Sequence, residues 1–188
     1  MLEMADVWSN DIAQLMVRLH EVSGAEYARL AEQIACRKEF HPIEGETSIF
    51  FCGGDTDNDF GNLLNAARKI VAHGFEVYIL PNPKRIRTAD FILYKRNIYK
   101  IYDLKTIQGK SSASNRLFES IGQTKNVVFN VRSNYDARQM GLDIKGYFEA
   151  FADAREVIVL KGKKMISVKR NMALSKMFPL KFRRLYEK

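Results

Sequence analysis

The sequence predicts an α+β fold: a largely antiparallel central sheet flanked by helices, preceded by an N-terminal helical pair. Three observations predict it. Apolar residues recur at three- and four-residue spacing in five segments, and as short apolar or alternating runs in seven others. Their order is α, α, β, α, β, β, β, α, β, α, β, β, so most strands are sequence neighbours joined by hairpins. The 188 residues are 46% hydrophobic and 28% charged, without repeat or low-complexity segment, which is the make-up of an ordinary globular chain.

Residues 5–20 form the first helix, with Val7, Trp8, Ile12, Leu15, Met16 and Leu19 on one stripe. The second, 23–37, opens on Ser23 with Glu26 three residues on, a capping-box spacing, and turns Tyr27, Leu30, Ile34 and Cys36 to a core. His41-Pro42 ends it. Residues 1–45 are thus expected as a helical extension and 46–188 as the main domain.

TSIFFC (47–52) is a strand, followed by GGDTDNDFGN. Its alternate Asp residues suggest calcium, but the Gly and terminal Glu of such a loop are missing, so it reads as an entry to the next helix. Asp57, Asn58 or Asp59 is then the N-cap of helix 59–74, which ends on Gly74. FEVYILPNP is a strand stopped by Pro81 and Pro83. SASNRLFESIGQTK (112–125) is a helix, NVVFNVR (126–132) a buried strand, and 140–154 a helix with Leu142, Tyr147, Phe148 and Phe151 on one side. Residues 155–170 are a hairpin turning at Gly162.

Between them lies TADFILYKRNIYKIYDLKTIQGKSSASNR. A two-residue turn at Arg96-Asn97 pairs residues whose numbers sum to 193, so Phe91 faces Tyr102 and Asp90 faces Asp103. Lys105, two residues on, shares the face of Asp103. Two carboxylates and an ammonium then converge at one end of a sheet, open to solvent. Opposed carboxylates repel unless a proton or cation lies between them, and a reactive site would explain that cost. The loop after it, Gly109 to Ser114, offers N–H, hydroxyl and ammonium donors to a phosphate.

The +8 net charge is uneven: residues 161–188 hold ten Lys/Arg against the single acid Glu187. A basic strip on a near-neutral body suits a polyanion, and Lys181, Arg183 and Arg184 are its candidate phosphate contacts. Cys36 and Cys52 read as buried reduced thiols, since no metal-ligand spacing is present. No apolar run spans a membrane and the N-terminus lacks a signal-peptide pattern, so a cytoplasmic protein without membrane attachment is expected.

At the central residues the chain resembles a known family. An Ala-bearing helix is followed by Gly74-x-Glu76-Val77-x-Ile79-Leu80-Pro81, then Ala89-Asp90-Phe91 and Asp103-x-Lys105-Thr106. Gly109-Lys110-Ser111-Ser112-x-Ser114-Asn115 and Gln123-x-x-Asn126-x-Val128 complete the pattern. It is similar to the C-terminal tRNA nuclease domains of CdiA-type contact-dependent inhibition toxins, and to related toxin-like nucleases of mobile elements and phages. The resemblance covers roughly residues 60–170 and makes 46–188 a nuclease-like domain.

What the resemblance implies is a metal-independent endoribonuclease without cofactor, acting on tRNA or another structured RNA, with an immunity-type protein as a possible partner. Its catalytic residues would be Asp103, Lys105, Thr106 and Asp90. Lys110, Ser112, Ser114, Asn115 and Gln123 would hold RNA. The same residues fit a PD-(D/E)xK nuclease, in which Asp90 and Asp103 bind Mg²⁺. Rival readings are a non-catalytic nucleic-acid-binding module that stacks bases on Tyr94, Tyr99 and Tyr102, and a partner-binding protein.

Overall fold

The structure, a computed structural model, describes residues 12, 14–19, 21–53, 59–81, 88–109 and 112–188. Eight strands run in the order β1 (His41–Pro42), β2 (Ile49–Phe51), β3 (Glu76–Ile79), β4 (Phe91–Lys95), β5 (Ile98–Ile107), β6 (Asn126–Val131), β7 (Glu156–Lys161) and β8 (Lys164–Lys169). Helices accompany them: α1 includes residues 14–19, and α2 is Gly24–Ala35. Then come α3 (Phe60–Val71), α4 (Ala113–Phe118), α5 (Ala137–Ala150), α6 (Arg170–Ala173) and α7 (Phe178–Glu187). This is an α+β fold. Four of the seven strand pairings are antiparallel, while β2–β3, β5–β6 and β6–β7 are parallel across helical crossovers.

The chain forms two compact units, Met1–Tyr102 and Asp103–Lys188. In the first unit, Ile12, Met16 and Leu19 of the N-terminal helix pack with Leu30, Ala31 and Ile34 of α2 against Tyr78, Ile92 and Ile101 of the strands. Val7 and Trp8 lie outside the described residues. The expected capping box is not formed. Ser23 stands at the N-cap of α2 without a side-chain capping bond, and Glu26 instead approaches Arg18 Nη2 at 3.6 Å. Both cysteines are free thiols, but the expected burial fails for Cys36. It falls at the C-cap of α2 and is exposed, whereas Cys52 is half-buried and its thiol is pushed up to about 11 chiefly by burial.

The GGDTDNDFGN loop is described only at its ends. Asp57 and Asn58 lie outside the described residues, and Asp59 occupies the N-cap of α3 without a side-chain capping bond. At its other end α3 stops at Val71, three residues before the expected end, and a turn over Ala72 and His73 leads to Gly74 at φ +76°. Lys95 Nζ donates to the His73 carbonyl at 2.6 Å and sits 4.5 Å from the Phe75 ring, a cation at the negative end of the helix.

The β4–β5 hairpin has the expected register: Phe91 pairs with Tyr102, Leu93 with Lys100 and Lys95 with Ile98. Arg96 and Asn97 both have positive φ, 51° and 61°, the conformation of a type I′ turn whose twist matches the strands. Tyr94 Oη donates to Asn97 Oδ1 at 2.9 Å and holds the turn. Tyr102 is 2% exposed, and the Tyr94 and Tyr99 rings stack at 4.5 Å within the unit's core cluster. Tyr102 is a packing residue, whereas Tyr94 and Tyr99 are half-buried against the core.

In the second unit β6 is buried along its whole length between β5 and β7. Ile107, Val127, Phe129, Val157 and Val159 line one face of the sheet and pack against α4, α5 and α7. Helix α5 starts earlier than expected, at Ala137, because Asp136 caps it through the Gln139 N–H at 2.7 Å. Leu142 does not join Tyr147 and Phe148 in the core: it is 44% exposed, and the helix buries Met140, Gly141 and Ile144 instead.

The last two helices, α6 and α7, are not anticipated by the sequence reading. Helix α7 buries Phe178, Phe182 and Tyr186, one every four residues. Each buried Phe contributes on the order of 1.5–3 kcal/mol. A Cβ at Gly141 of α5 would lie 3.4 Å from Phe182 Cδ1 and 3.5 Å from Pro179 Cα, ordinary contact distances, so α7 packs directly over this position. Arg170 Nη1 donates to the Phe148 and Phe151 carbonyls at 2.7 and 2.9 Å, and Lys164 Nζ to the Tyr186 carbonyl at 2.9 Å. Two members of the basic strip thus cap helices instead of facing a partner.

Candidate functional site

Strand β5 runs parallel to β6, and alternation along it decides which side chains meet. Asp103, Lys105 and Ile107 are level with Val127, Phe129 and Val131, whereas Leu104 and Thr106 are level with Val128 and Asn130 on the other face. The first face is the one the helices cover. Asp103 and Lys105 therefore do not stand open to solvent as the sequence reading has it. The Asp103 side chain is 1% exposed and that of Lys105 14%. Thr106, although next in the motif, points away from both.

Lys105 Nζ lies 2.7 Å from Asp103 Oδ2. The approach is short but off the line of a well-directed hydrogen bond, so this contact is chiefly electrostatic. A buried carboxylate needs such a partner, since the cost of desolvating one ion is several kcal/mol. The pair neighbours two hydroxyls. Ser120 Oγ donates to the Leu117 carbonyl at 2.6 Å, which uses its only proton, so in the 3.3 Å contact Tyr147 Oη donates to Ser120. Burial raises the Tyr147 phenol pKa, and the charge of Asp103 adds to the rise.

The residues expected to hold phosphate are placed around α4. Ser112 is its N-cap and accepts the Asn115 N–H at 3.5 Å. Ser114 is half-buried and Asn115 exposed. Tyr135 Oη accepts the Ala113 N–H at 3.2 Å and donates to Asp143 Oδ2 at 2.8 Å, while Gln139 holds the other oxygen of Asp143 at 2.8 Å. This net fixes the start of α4, and nothing in the sequence reading pointed to Tyr135 or Asp143. Lys110 lies outside the described residues. Gln123 is not on the helix: α4 stops at Phe118, seven residues before the expected end at 125, where the Ser120 hydroxyl competes for the Leu117 carbonyl. The Gln123 amide folds back to the Glu119 carbonyl at 3.0 Å.

Asp90 belongs to the first unit. It directly precedes β4, half-buried, with its N–H on the Tyr102 carbonyl at 3.0 Å. Among the described residues no three His, Cys, Asp or Glu side chains gather as metal ligands, and no helix is long and apolar enough to cross a membrane. The C-terminal cations Lys181, Arg183 and Arg184 are all exposed, and Arg183 Nε donates to both oxygens of Glu187 at 2.9 and 3.0 Å.

Comparison of the chain with protein-family models, with curated proteins and with solved structures found no match. The resemblance to toxin nucleases rests on the quoted residues alone.

The tyrosines of the second unit give it a pH limit. Burial, with the charges of Asp136 and Tyr135, pushes the Tyr186 phenol up to about 12, and burial also raises Tyr135 and Tyr147. A folded pKa above the unfolded value of about 10 means that the unfolded chain loses its protons first. The stabilisation is complete below about pH 10 and is lost as pH rises through the folded values. Alkaline titration is expected to give one step in which phenolate absorbance appears as helical dichroism disappears. Phenolate formation well before unfolding would contradict this.

Proposed function

We propose that the chain is an endoribonuclease acting on structured RNA, tRNA included, by metal-independent transesterification. In this route a 2′-hydroxyl loses its proton to a base and attacks the adjacent phosphorus. The 5′-oxygen leaves, and a 2′,3′-cyclic phosphate remains. The observation that supports the reading best is the Asp103–Lys105 pair. Lys105 is a cation held at 2.7 Å by a carboxylate that is itself fixed on a strand, while 14% of its side chain reaches solvent. A preplaced charge stabilises a phosphorane-like transition state without reorganising at the moment of reaction. Lys105 is accordingly the group that meets phosphate. Asp103, deeper by far, is a positioning residue that holds the ammonium, and Ser114 and Asn115 are further donors. Thr106 has no part in this site.

The test is incubation of the purified protein with total RNA, with and without EDTA, followed by end-group analysis. Cleavage in EDTA leaving cyclic phosphate, with DNA untouched for want of a 2′-OH, is expected. Abolition by EDTA with rescue by Mg²⁺, or cutting of DNA, would favour the PD-(D/E)xK reading instead. RNA binding without any cleavage would leave a non-catalytic module.

A further inference from the structure

Helix α7 is apolar on two sides. Phe178, Phe182 and Tyr186 fill the core, yet Met177, Leu180 and Leu185 are 53%, 57% and 47% exposed. Eight large hydrophobic side chains are exposed among the described residues, and four of them, these three with Leu174, fall between positions 174 and 185. Single exposed leucines need no explanation, but such a concentration does. At about 100° per residue, Leu180, Lys181, Arg184 and Leu185, with the flanking Met177 and Lys188, share one arc of roughly 140°. Glu187 is drawn to Arg183, so the arc carries three cations and no carboxylate.

We propose that this arc docks an acidic protein surface, one whose carboxylates flank an apolar strip. The cations select the charge and the leucines and methionine select the strip. Met and Arg are favoured in protein interfaces, and a patch this mixed gains from both burial and charge complementarity. RNA would satisfy Lys181, Arg184 and Lys188 but offers no counterpart for Met177, Leu180 and Leu185. A bilayer takes apolar residues as one block with cations at its rim, whereas here Lys181 and Arg184 lie between the apolar residues. The proposal is independent of the nuclease reading.

The test uses the full chain and four probes: a helical peptide with Leu at three- and four-residue spacing and Glu between, polyglutamate of equal length, a tRNA, and phosphatidylserine vesicles. The Leu/Glu peptide is expected to bind, with polyglutamate weaker by about tenfold or more. Both L180S/L185S and K181E/R184E should weaken the peptide by at least about tenfold, the scale of interface hot spots. All four positions are exposed, so thermal melts should be nearly unchanged and a lost signal is not lost folding. Failure of the peptide to bind would overturn the proposal. So would indifference of its binding to L180S/L185S, or retention of tRNA or vesicles that K181E/R184E abolishes.

Discussion

Under the proposed ribonuclease function, replacing Asp103 by Asn is expected to lower the turnover of RNA by about 10²–10³-fold, the scale seen when one preorganised transition-state donor is removed. The substitution keeps shape and volume but removes the charge that pins Lys105 Nζ at 2.7 Å. Freed, the ammonium spreads over many positions, and only a few face the phosphate. The KM for RNA should change little, because a mobile lysine still attracts a polyanion; the loss belongs in kcat. A purely structural role for the pair predicts another pattern, in which kcat per folded molecule is unaltered and only the melting temperature falls. An unchanged kcat in folded Asp103→Asn would remove Asp103 from the mechanism.

The second large effect is on stability. Lys105→Met removes an ammonium from beside the Asp103 carboxylate, 1% exposed, and breaking such a buried pair from one side costs about 3–5 kcal/mol. That is a large share of the roughly 5–15 kcal/mol that holds a domain folded. The double replacement Asp103→Leu with Lys105→Met removes both charges and should recover most of the loss, because two apolar side chains suit the face lined by Val127, Phe129 and Tyr147. Urea denaturation of the two single variants and the double variant measures this cycle. Additive losses would mean that the two side chains do not depend on each other.

The residues that wrote their structure plainly are those whose local chemistry allows one answer. Arg96-Asn97 between two alternating runs left one short turn and one register, and Gly74 and Gly162 stand at positive φ where a helix and a hairpin turn. What stayed hidden depends on which face other elements cover. Asp103 and Lys105 could be placed on a common face by counting, but the burial of that face comes from α4 and α5, packed from elsewhere in the chain. Thr106 falls on the other face from Asp103 and Lys105 because alternation along a strand splits a motif read as a unit. Charge obscured the C-terminus: ten cations drew attention from Phe178, Phe182 and Tyr186, whose four-residue spacing was the signal for α7. The parallel pairings of β5–β6 and β6–β7 were legible only as helices intervening between strands.

Gly141 has a consequence for the thermodynamics of whatever meets α7. With Phe182 and Pro179 packed over Gly141, and with Lys164 and the Lys161 ammonium, 4.7 Å from the Tyr186 ring, clasping the far end, α7 is ordered before any encounter. Fixing a free segment of chain costs about 1–2 kcal/mol per residue in backbone entropy. For α7 that cost is met in folding, and only the rotamers of Leu180, Lys181, Arg184 and Leu185 remain to be lost on contact. The packing of α7 on its buried side thus sets the entropic terms for recognition on the other.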